Sequence, residues 1–140
     1  MLDVLTVVTE PLYRSARYDG RNGSIAAARD MAAAFLRDLA PHRNAPVPEH
    51  RVQDVLLVVS ELVTNAGRYA PGPCVMDLSY VGGGVEVSVW DTSAELPRRF
   101  APDPSRIGGH GMEIVERLCR RVTAERVFNG KRVRAHLDVD

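Results

Sequence analysis

The sequence predicts an α+β fold, a two-layer sandwich in which a mixed or mostly antiparallel sheet carries three helices on one face. Three observations predict it. Two long segments before Ala70 repeat their apolar residues at helical spacing, the repeat then shortens to two as in half-buried strands, and the chain closes on a strand-turn-strand pattern around Asn129-Gly130. At 140 residues there is enough chain for one such core and too little for two.

Composition narrows the function classes. A content of 45% hydrophobic and 26% charged residues suits a folded soluble domain and argues against overall disorder. The 18 basic side chains balance 18 acidic ones and no basic run stands out, so a nucleic-acid surface is not expected. MLDVLTVV at the start is apolar but contains Asp3 and lacks a basic leader region or a small-residue cleavage site. No apolar run approaches the ~18 residues that cross a bilayer, so no membrane partner is expected and the location expected is cytoplasmic. Cys74 and Cys119 lack metal-ligand spacing and are expected as free buried thiols, and His42, His50, His110 and His136 are too scattered for a zinc pattern.

Residues 1–23 are expected to form an arm or edge strand, with weak alternation from Leu12 to Tyr18, and residues 24–140 a single domain. DGRNG at Asp19–Gly23 has turn chemistry, and Ser24 suits an N-cap for a helix with Ile25, Ala28, Met31, Ala32, Phe35, Leu36 and Leu39 inward, ending before Pro41. The segment Pro48 to Tyr69, bounded by Pro71-Gly72, predicts the longest helix. Its apolar stripe is Val52, Val55, Leu56, Val59, Leu62, Val63 and Ala66. Glu61 and Asn65 lie off that stripe, one turn apart, where side chains stand roughly 5–6 Å from each other. A carboxylate and an amide so placed suit either a solvated face or a shared metal-phosphate group or water.

Cys74–Val81 and a strand through Val85, Val87 and Val89 predict a hairpin around Gly82-Gly83-Gly84. Asp91 ends the second strand with the parity of its inward valines. A carboxylate aimed at the covered face needs a donor to offset its desolvation. Trp90 has the opposite parity and is expected to pack on the open face. Thr92 to Ile107, with three prolines, is long enough to serve as a lid. Gly108-Gly109-His110-Gly111 then leads into a helix from Met112 to about Arg121, with Met112, Val115, Leu118 and Cys119 inward. Glycines allow close backbone approach, and the N–H groups and dipole of a helix start favour an anion. The same glycines suit a simple turn, and His110 suits either a phosphate contact or a cap. Strands Val122–Phe128 and Arg132–Val139, joined by Asn129-Gly130, complete the sheet, with Val133, Ala135, Leu137 and Val139 on its buried face.

The order of these features is more specific than any one of them. VVSELVTNA (Val58 to Ala66), Asp91 to Pro97, and Gly108 to Met112 resemble the N-box and two glycine boxes of the GHKL, or histidine-kinase-like, ATPase superfamily. Within it the chain is similar to the small anti-sigma-factor serine kinases and related ATP-binding regulators of actinobacteria. The likeness covers about residues 24–139 and implies a Bergerat-type ATP-binding fold. It implies ATP and Mg²⁺ as cofactors, Asn65 as the Mg²⁺ ligand, Asp91 as acceptor of the adenine amino group, and Glu61 as the general base. Ser93, Gly109, His110, Gly111 and Met112 fall at nucleotide-binding positions. The implied activity is serine/threonine kinase action on an antagonist protein by a homodimer that also sequesters a sigma factor. The alternative is a non-catalytic, nucleotide-dependent protein-binding module. The first glycine box departs from the family pattern, since Thr92-Ser93-Ala94-Glu95 contains no glycine, and Arg132 stands where relatives often carry threonine beside the adenine.

Overall fold

A computed structural model of the protein describes residues 12–69, 72–93 and 111–140. In chain order these form β1 (Tyr13–Tyr18), α1 (Ser24–Arg43), α2 (Glu49–Tyr69), β2 (Cys74–Val81), β3 (Gly84–Asp91), α3 (Gly111–Leu118), β4 (Arg121–Val127) and β5 (Gly130–Asp138). The five strands make one sheet in the order β1-β2-β3-β5-β4, with every neighbouring pair antiparallel. The sheet is therefore antiparallel rather than mixed.

α1 packs on β1 and β2, α2 on β2, β3 and β5, and α3 on β4, while α2 lies between the other two helices. One core results. Met76, Leu78, Val85, Val87, Val89, Val133, Ala135 and Leu137 project from the strands to meet Phe35, Leu39, Val55, Val59 and Leu62 from the helices. Each large apolar side chain so buried contributes about 1.5–3 kcal/mol, and truncating one, as in Leu62→Ala, would cost about 2–5 kcal/mol. Val58, which lies outside the predicted apolar stripe, is fully buried in this core.

The other sheet face is polar. Arg132 lies over the Trp90 ring at 5.5 Å and pairs with Glu125, while Arg134 pairs with Glu86 at 3.1 Å. Edge strand β1 is tied down by Tyr13 and Ser15, whose hydroxyls donate to Asp77 at 2.8 and 2.5 Å.

Several boundaries differ from those the sequence predicts. Gly23, with φ 96°, and not Ser24, is the N-cap of α1, and the helix continues through Pro41 to Arg43. A proline in the last turn forfeits a single backbone bond. That turn is closed by Asn44 in the left-handed region, and Arg43 pins it by donating to the Ala45, Pro46 and Val139 carbonyls and pairing with Asp140 at 2.9 Å. Pro48 stands just before α2, its carbonyl accepting the N–H groups of Arg51 and Val52. The β2–β3 turn is Gly82-Gly83, φ 58° and 75°, with Gly84 already paired to Val81. Two positive φ angles match the strand twist, which explains the glycine demand.

α3 stops at Leu118, short of Arg121, because the Arg120 N–H donates to the His136 carbonyl at 2.8 Å and starts the β4–β5 pairing. The closing turn is Phe128-Asn129, not Asn129-Gly130: Val127 pairs with Gly130, and Asn129 supplies the left-handed residue at φ 65°. β5 accordingly starts at Gly130. Both cysteines are free thiols.

Candidate functional site

The amphipathic α2 presents Glu61 and Asn65 one turn apart at the border of its buried residues, in line with the core residue Val58. Glu61 is half-buried. Its carboxylate lies directly against Gly111, the first residue of α3, so closely that a Cβ there would collide with it. Asn65 is only 8% exposed, and its Oδ1 is buried with no hydrogen-bond partner among the described residues. An orphaned buried carbonyl oxygen costs about 1–3 kcal/mol. Such an atom calls for a ligand to satisfy it.

Asp91 ends β3 on the covered face, as its parity requires, and is also 8% exposed. Its Oδ1 accepts the Ser93 N–H at 2.8 Å, an Asx-type turn that fixes the carboxylate and leaves Ser93 buried beside it. Its Oδ2 lies 2.8 Å from Lys131 Nζ. The Lys131 side chain is wholly buried and that of Asp91 3% exposed, so the donor demanded by a buried carboxylate comes from within the chain. Asp91 and Lys131 are direct partners across β3–β5, whereas Arg132 pairs with Trp90. This places Arg132 on the open face and corrects its expected position beside the adenine; Lys131 is the residue on the Asp91 side. Sequence reading missed Lys131 although the alternation of Val133, Ala135 and Leu137 extends back to it.

Topology brings α2 and Asp91 to one end of the domain. Tyr69 ends α2 and Cys74 begins β2, so the last turns of α2 must lie near the sheet end where β2 starts. Trp90 pairs with Val75, which puts Asp91 at that same end. The Cys74 thiol is pushed up in pKa by burial first and by the negative charge of Asp91 second. Asn65 lies one turn before the helix terminus, roughly 6 Å along its axis. Met112, half-buried, packs onto the core next to Gly111. Gly109 and His110 lie outside the described residues, as does most of the expected lid.

A separate cleft of about 490 Å³ opens between Gly20–Ile25 and the Val63, Thr64, Gly67 and Arg68 side of α2. None of Glu61, Asn65 and Asp91 lines it. Among the described residues no group of three or more His, Cys, Asp or Glu side chains could hold a metal, and no helix is long and apolar enough to cross a membrane.

Comparison with known proteins agrees with this fold. The structure is similar to that of the RsbU and RsbW domains of Rv1364c from Mycobacterium tuberculosis, with a TM-score of 0.66 at 17% identity over 94% of this chain and 32% of that one. This chain thus spans about a third of the length of that two-domain chain. No curated protein sequence matches. The sequence profile of the histidine kinase-like ATPase domain matches residues 19–137. With most of its length matched to that domain and its fold shared, the chain belongs to the histidine kinase-like ATPase family.

Proposed function

We propose that this protein is a Mg-ATP-dependent serine/threonine protein kinase of the anti-sigma type, acting as a homodimer in the cytoplasm. The observation that carries the reading is the pairing on α2 of a carboxylate set against a helix start with an amide oxygen that is buried and unsatisfied. Mg²⁺ prefers oxygen ligands and retains waters, and Asn65 Oδ1 fits that preference. When bound, the ion would neutralise charge on the phosphates.

The chain's own groups do the rest. Asp91 accepts from the exocyclic amine of adenine, and Ser93, through its backbone N–H, keeps the carboxylate turned for it. Gly109, His110, Gly111 and Met112, with the amides opening α3, are the residues we assign to the phosphates. Glu61 takes the proton of a substrate hydroxyl as that oxygen attacks the γ-phosphorus. The bond from γ-phosphorus to the bridging oxygen breaks, and ADP leaves with the electron pair. The half-buried setting of Glu61 beside α3 puts a proton acceptor next to the amides that would hold the phosphates. The protein substrate, an antagonist with an acceptor serine, and the sequestered sigma factor follow from the family resemblance.

The test is calorimetry beside a transfer assay with labelled ATP and a candidate antagonist. Glu61→Ala should lower transfer by about 10²–10⁴-fold with ATP affinity retained. Equal loss of binding and transfer would remove Glu61 from the base role. ATP binding with no transfer by the unaltered protein would favour the non-catalytic binding module.

A further inference from the structure

We propose that Lys131 is a specificity-determining residue, reading the ring nitrogen that neighbours the exocyclic amine of adenine while Asp91 reads the amine itself. This rests on the nucleotide-binding role of Asp91 proposed above. Lys131 and Asp91 form a buried ion pair that the family resemblance does not require. Lys131 Nζ stands 2.8 Å from Asp91 Oδ2, and neither side chain has appreciable access to solvent.

Parting such a pair would strand two buried charges, which is far more costly than uncovering the pair intact. A base entering the site therefore meets carboxylate and ammonium together. A carboxylate oxygen has two lone-pair sites and an ammonium three N–H donors, so each can serve more than one partner. Side by side they form an acceptor next to a donor. Adenine presents the complement along one edge, an amine donor at N6 and an unprotonated acceptor at N1. Hypoxanthine and guanine present the reverse, an acceptor at O6 and an N–H donor at N1, and would set like against like at both positions.

The backbone keeps this alignment. Gly130 passes so near the Asp91 carbonyl oxygen that any side chain there would collide with it, and the Asp91–Lys131 cross-strand register holds both side chains on the covered face. A neutral hydroxyl in place of Lys131 would offer a weaker donor. A fully buried ammonium offers a charge-assisted one.

Calorimetry on the unaltered full chain with three nucleotides tests the inference without depending on the folding of a variant. 1-Deaza-ATP, in which a C–H replaces N1, should bind roughly ten- to hundred-fold more weakly than ATP, the worth of one hydrogen bond to a charged group. Purine riboside triphosphate, which keeps N1 and lacks the amine, should weaken for the separate reason that Asp91 loses its donor. In Lys131→Met the gap between ATP and 1-deaza-ATP should close. Equal binding of ATP and 1-deaza-ATP to the unaltered protein would overturn the role of Lys131 while leaving Asp91 in place. Equal binding of ATP and purine riboside triphosphate would instead overturn the Asp91 reading, and no binding of any of the three would overturn the nucleotide site as a whole.

Discussion

The Glu61 carboxylate lies so close to Gly111 that a Cβ there would collide with it. α2 and α3 thus meet at the point where the proposed base and the proposed phosphate-binding turn come together. The colliding atom is the far end of a flexible side chain, so Gly111→Ala should displace the carboxylate without disturbing the core. Its stability should change by less than about 1 kcal/mol, while misplacing the base by an ångström can cost on the order of 100-fold in rate. Thermal melts, ATP titration and phosphotransfer on this variant form the check. Undiminished transfer would mean that Glu61 need not sit where it does.

Asn65 sets stability against binding. Its Oδ1 is buried and unsatisfied among the described residues, a state that costs about 1–3 kcal/mol. Asn65→Ala removes that cost and leaves a small cavity, so the unliganded protein should be no less stable than the parent. Affinity for Mg-ATP should nevertheless fall by at least about tenfold, the equivalent of about 1.4 kcal/mol, whereas binding of ATP in the presence of a chelator should change little. Urea melts and paired titrations with and without magnesium decide it. An equal effect in the two titrations would take the metal away from Asn65.

The Asp91–Lys131 pair should behave as a unit in folding. Removing one partner strands the other charge in a site with almost no solvent access, at a cost of about 3–5 kcal/mol. Asp91→Leu alone and Lys131→Met alone should each lose about that much in denaturant unfolding. The double variant, with two apolar groups of similar volume, should recover most of it. Two additive losses would show that the charges do not depend on each other. The same logic requires that any Asp91→Asn binding experiment be run well below the melting temperature of that variant.

Much of this was legible from periodicity. The hairpins, the α2 stripe and the inward aim of Asp91 follow from repeats of 3.6 and 2 and from cross-strand parity. Lys131 was legible by the same parity, but lysine is so rarely buried without a partner that its charge points the reader to the surface. The ends of α1 and α3 were not legible, because each is set by a remote contact: Arg43 reaching Val139 and Asp140, and the Arg120 N–H reaching the His136 carbonyl. The approach of Glu61 to Gly111 joins residues that no local spacing relates.

The cysteines give a prediction with a defined pH window. Burial, with a smaller contribution from the charge of Asp54, pushes the Cys119 thiol from 9.0 up to about 12, and Cys74 is raised in the same direction. The thiolate is the reactive form. Native protein at pH 8 should therefore react with a disulfide reagent far more slowly than protein unfolded in urea, which should release two equivalents. The sign for stability follows from linkage. A folded pKa above the unfolded one means that the unfolded chain loses its proton first, so the stability present below pH 9.0 is lost as pH rises towards about 12. Cys119→Ala should flatten that decline in denaturant melts between those pH values, and an unchanged slope would assign the alkaline loss to other groups.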